Sequence, residues 1–188
     1  MSKKSIGVSM VIAIDSSISM LVRDVRPNRL EVAKRSATVI LRTVSSAGIP
    51  TLISVISFYR NSFPILDLTD NWEDVEKAIN SIHASGKTTD LSMAIKEAFY
   101  IFKDSPPGYQ RRLIVISDGD FNEGPGPEEL ELLVRSSSMR VDFLIINGGQ
   151  KTRVNEASKL ASASGGKVVT ARSLEEAVKG ALLLAMSD

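Results

Sequence analysis

Asp15-Ser16-Ser17-Ile18-Ser19 directly follows an apolar run at residues 8–14. Two later segments, Gly86-Lys87-Thr88-Thr89-Asp90-Leu91 and Ile114-Val115-Ile116-Ser117-Asp118-Gly119, supply further oxygen donors. The carboxylates of Asp15 and Asp118 with the hydroxyls of Ser17, Ser19 and Thr89 form an all-oxygen set, the kind that hard divalent cations such as Mg²⁺ or Mn²⁺ prefer over imidazole or thiolate. Ser17 and Ser19 alternate with Ser16 and Ile18, so in an extended loop Asp15, Ser17 and Ser19 point one way and the other two elsewhere. The β-branched side chain of Thr89 is stiff enough to hold its hydroxyl in place. With water, five such ligands can fill a roughly octahedral shell at about 2.0 to 2.1 Å. Two carboxylates brought this close raise each other's pKa unless a cation stands between them.

For these residues to meet, the chain must carry them to one edge. Continuous apolar runs at residues 8–14, 51–58, 113–116 and 141–146 read as strands covered on both faces, as in a parallel sheet. Helical patterns lie between them at residues 29–46, 71–82, 91–102, 127–135 and 152–162. Pro27-Asn28 precedes the first helix, Gly48-Ile49-Pro50 ends it, and Gly165-Gly166 leads into a strand at residues 167–170. Ser173 caps a last helix reaching about residue 186. The segment 63–68 follows the second strand so closely that only a hairpin can join them. The expected fold is therefore α/β, a doubly wound (Rossmann-like), mostly parallel six-stranded sheet with one short antiparallel edge strand and helices on both faces. In such a sheet ligands bind beyond the carboxyl ends of the strands, where strand order reverses. If the strands leading to Asp15 and Asp118 are neighbours, their ends lie about 4.8 Å apart.

Bulk properties narrow the function. The 188 residues, 43% hydrophobic and 24% charged, suit a single domain over residues 1–188, and a net charge of +1 offers no field for nucleic acid. Without cysteine and with His83 as the single histidine, thiolate sites, a zinc cage and a histidine-based triad are not expected. The start of the chain has no long apolar segment and no stretch approaches the roughly 20 residues of a membrane span, so a cytoplasmic protein is expected.

Three competing motifs fit less well. Asp118, Asp120, Asn122 and Glu129 fall at EF-hand spacing, but Glu123 stands where the loop needs glycine and a strand precedes it. Gly86-Lys87-Thr88 resembles the end of a P-loop, but Ser81 occupies the position of its first glycine. A Mg²⁺-dependent hydrolase would need a general base beyond the proposed ligands, and no enzyme is expected.

Taken together, Asp15-x-Ser17-x-Ser19, Thr89 and Asp118 resemble the von Willebrand factor A domain with its metal-ion-dependent adhesion site. The resemblance covers nearly the whole chain. It implies a binding module whose metal keeps one position for an Asp or Glu of a protein partner, within an intracellular multiprotein assembly in which an ATPase is a candidate partner, with no nucleic acid or membrane partner. Ser16, Lys87, Asp90, Asp120, Phe121 and Asn122 are the expected partner-binding rim, with Phe121 either an exposed aromatic anchor or folded back onto its own loop. Val25-Arg26-Pro27-Asn28-Arg29-Leu30 also resembles the A-type subunits of the proteasome and of the transcription and repair helicase complex. Those are scaffolds, which leaves a structural role without the metal as the alternative.

Overall fold

A computed structural model describes residues 6–148 and 154–187. Six strands, β1 (Gly7–Asp15), β2 (Thr51–Phe58), β3 (Ser62–Thr69), β4 (Tyr109–Ser117), β5 (Met139–Ile146) and β6 (Val168–Ala171), form one sheet in the order β3-β2-β1-β4-β5-β6. All neighbours are parallel except β2 and β3, which close an antiparallel hairpin through Tyr59–Asn61. The hairpin strand is not short: it matches the eight residues of β2, although its register shifts twice. Pro64 sits in it without cost because an edge strand leaves some amides unpaired.

The apolar runs are buried on both faces because each face meets helices. Met10, Ile12 and Ile14 of β1 pack with residues of α1 (Arg29–Ser46), α2 (Trp72–Ser81) and α6 (Leu174–Ala185). Val11 and Ala13 pack on the other side against α3 (Leu91–Ile101), α4 (Pro127–Ser137) and α5 (Val154–Ser164). Each fully buried aliphatic side chain contributes about 1.5–3 kcal/mol relative to exposure. The start of α5 expected at residues 152–153 lies outside the described residues.

Helix ends follow local chemistry. Asn28 caps α1 by accepting the Glu31 N–H at 2.8 Å, and Ser173 caps α6 by accepting that of Glu176 at 3.1 Å. The strand β4 starts four residues earlier than its apolar run, at Tyr109-Gln110-Arg111-Arg112, because Arg112 is neutralised within the sheet. Its Nη2 donates to Asp142 Oδ2 at 2.7 Å and to the Leu184 carbonyl at 2.8 Å, tying α6 to the sheet. Among the described residues no helix is long and apolar enough to cross a membrane.

Candidate metal centre

The order of strands reverses between β1 and β4, and both end at the same edge. Asp15 is the last residue of β1 and Asp118 the first beyond β4, and both are fully buried. Ser117 Oγ donates to Asp15 Oδ2 at 2.7 Å across the strand pair, and the Ser17 N–H donates to Asp15 Oδ1 at 2.8 Å. Burial first, and then the charge of Asp118, push the Asp15 carboxyl up to about 6; the Ser17 and Ser117 donors oppose this only in part.

Beyond Asp15 the chain turns through a short 3-10 segment, Ile18–Leu21, which brings Ser17 Oγ and Ser19 Oγ to 2.9 Å of each other. The loop carrying Thr89 is laid directly beside it. Ser17 and Gly86 form a β-bridge, the Ile18 N–H donates to the Gly86 carbonyl at 2.6 Å, and the Ser85 N–H to that of Ser16 at 2.8 Å. Only glycine fits here, since a Cβ on Gly86 would lie 2.1 Å from Tyr59 Cδ2. Thr89 is buried and its backbone is locked to the loop after Asp118. Its N–H donates to Asn122 Oδ1 at 3.0 Å, and its carbonyl accepts from the N–H groups of Asn122 and Glu123. All five expected ligands thus sit on three interlocked loops at one edge.

The donor set fits a hard cation. Two serine hydroxyls already converge, and the charge of buried Asp118 is near enough to help raise the pKa of buried Asp15. Among the described residues no three acidic, imidazole or thiol side chains gather at one place, so hydroxyls must complete any such shell.

The rim differs from expectation at two of its six residues. Ser16 is buried: its Oγ donates to the Phe58 carbonyl at 3.1 Å and accepts from Ser57 Oγ at 2.8 Å, fastening the loop to β2. Phe121 is 2% exposed and packs edge-on to Phe143 at 6.4 Å, because the apolar layer beneath the loop takes up its ring. Neither can touch a partner. Lys87 and Asp120 are exposed at the edge. Asp90 is half-buried and caps α3 through the Ser92 N–H at 2.8 Å, while Asn122, although exposed, spends its side-chain oxygen on Thr89.

Two features are new to the site. Ile18, Leu21 and Val22 expose between 41% and 48% of their surface in and after the turn that carries Ser17 and Ser19. Arg29 is buried and directs Nη1 to Asp118 Oδ2 at 2.8 Å, while its Nε and Nη2 reach Asp24 at 2.9 and 2.6 Å. Its position was a readable signal: Arg29 is the first residue of α1, where the helix dipole disfavours a cation unless acids surround it.

Residues 10–121 match the family model described as the von Willebrand factor type A domain. No curated protein sequence matches the chain significantly. Among solved structures, the conserved hypothetical protein BatB from Bacteroides thetaiotaomicron is 23% identical, with a TM-score of 0.78 over 96% of this chain and 100% of that one. An aerotolerance-related membrane protein from Bacteroides fragilis is 25% identical, with a TM-score of 0.74 over 95% of this chain and 98% of that one. The SpRpn10 VWA domain is 15% identical, with a TM-score of 0.77 over 92% of this chain and 93% of that one. BatB and SpRpn10, at these identities, establish the fold and nothing finer.

Proposed function

The chain belongs to the von Willebrand factor type A domain family, whose members generally serve as protein-interaction modules, and on that premise we propose that it is a metal-dependent adhesion module. Asp15, Ser17, Ser19, Thr89 and Asp118 would hold Mg²⁺ or Mn²⁺, which supplies electrostatic attraction for an Asp or Glu carboxylate of a protein partner. The observation that carries this reading is the meeting of Asp15, Ser17 and Ser19 with Thr89 and Asp118 at the β1/β4 edge, where loops bind ligands in this architecture. Lys87 and Asp120 frame the approach, and Ile18, Leu21 and Val22 give the carboxylate's neighbours an apolar surface.

The partner belongs to an intracellular multiprotein assembly, and an ATPase is a candidate for it. The Bacteroides fragilis relative is named as a membrane protein, which supports an assembly held at a membrane. A scaffold role that leaves the metal unused is the second reading, favoured by the guanidinium that Asp118 already has as a partner.

The deciding experiment is affinity capture from native lysate with Mg²⁺, with EDTA, and with Asp15→Ala. A partner kept by metal-loaded wild type alone supports adhesion through the metal. One retained in all three conditions overturns it and places binding on another surface.

A further inference from the structure

Arg29 carries more than a structural strut requires. Burial and its place at the start of α1 both work against its charge. Burial alone would lower its pKa, yet Asp24 and then Asp118 more than offset that, so the guanidinium is held firmly charged. Asp24 is fixed in turn by the N–H groups of Val25 at 2.9 Å and Gly148 at 2.8 Å. Asp24 lies on the solvent side, with 21% of its side chain exposed, whereas the Arg29–Asp118 pair is dry at 4% and 1%. Solvent therefore screens the charge of Asp24 more than that of Arg29 as felt from the site. Both oxygens of Asp118 are engaged, Oδ2 by Arg29 and Oδ1 by the Asp120 N–H at 3.1 Å.

We propose that Arg29 is the built-in counter-cation of the metal site, a positioning residue that holds Asp118 and takes up part of its charge, so that a bound divalent ion is left under-neutralised and receptive to a partner's carboxylate. This rests on the metal reading of the site. Asp15 and Asp118 alone would match the charge of a divalent ion and leave little to attract a third carboxylate. With Arg29 in place the site gives up metal affinity in exchange for attraction to an acidic partner.

The test is calorimetric titration of Mn²⁺ into wild type, Arg29→Gln and Arg29→Lys, with thermal unfolding of each protein with and without the ion. A unit charge acting on a divalent ion across roughly 6 Å changes affinity about tenfold even at the dielectric of water. Arg29→Gln is therefore expected to bind Mn²⁺ about tenfold more tightly or better, and Arg29→Lys to stay near wild type. Without metal, Arg29→Gln should melt below wild type, because Asp118 loses its counter-charge, and Mn²⁺ should raise its melting temperature by more than it raises that of wild type. If Arg29→Gln is unfolded without metal, Mn²⁺ should restore its fold. Wild type binding Mn²⁺ while Arg29→Gln binds no tighter, or loses equal stability with and without the ion, overturns the role of Arg29 and leaves the metal site standing. Failure of both proteins to bind Mn²⁺ overturns the metal reading and this proposal with it.

Discussion

Acidification should weaken divalent-metal binding at this site steeply, and over a range where most carboxylate sites are indifferent. Asp15 is fully buried, and burial together with the charge of Asp118 holds its carboxyl near 6 rather than 3.8. A metal ion must displace that proton, so the affinity is nearly full at pH about 7, halved near 6, and about tenfold lower at 5. A carboxylate with the ordinary value would lose less than about a tenth of its affinity over the same interval. Without metal the sign reverses. A folded pKa raised above the unfolded one contributes stability that is complete below 3.8 and lost as pH rises through about 6, so ionised Asp15 costs the metal-free fold on the order of 3 kcal/mol at neutral pH. Acidifying the metal-free protein from pH about 7 to 5 should regain roughly 1 kcal/mol from this residue, while the metal-loaded protein loses stability. Calorimetric Mn²⁺ titrations and urea unfolding at pH 5, 6 and 7, repeated with Asp15→Asn, measure both slopes. Wild-type affinity that stays flat down to pH about 5, or a metal-free stability that falls on acidification as fast as in Asp15→Asn, would refute the reasoning.

Two substitutions test how the loops are held. Gly86→Ala puts a methyl group into Tyr59 and pushes the Thr89 loop off the Ser17 loop. It should cost about 1–3 kcal/mol in urea unfolding and reduce Mn²⁺ affinity by more than that loss of stability explains. Phe121→Ala empties a buried position against Phe143, and a cost of about 3–5 kcal/mol is expected by the same assay. A stability unchanged by Phe121→Ala would return that ring to the surface, where the sequence had suggested an anchor.

Much of this architecture is legible without coordinates because its signals are local. The run at residues 51–58 and the helix at 29–46 match β2 and α1 residue for residue, since most of the side chains they bury are apolar and their ends carry Asn28, Gly48 and Pro50. The five candidate oxygen donors were equally visible, because side-chain alternation along a loop and the ends of apolar strands are properties of adjacent residues. The first half of β4 was hidden, because Arg112 looks like a loop residue until Asp142, thirty positions away, neutralises it.

By its sequence alone, then, this protein declared a doubly wound α/β sheet, the family to which it belongs, and a cluster of oxygen-bearing side chains at the sheet's carboxyl edge. Only the tertiary structure decided which neighbours of that set face outward. Ser16 turned inward to β2 and Phe121 sank into the apolar layer, while Ile18, Leu21 and Val22 were left in solvent. It alone showed that Arg29, eighty-nine residues from Asp118 in the chain, supplies a cation to the same site. The physical reason is that exposure and ion pairing depend on what packs above and beside a side chain, and those neighbours arrive through the fold from distant parts of the chain.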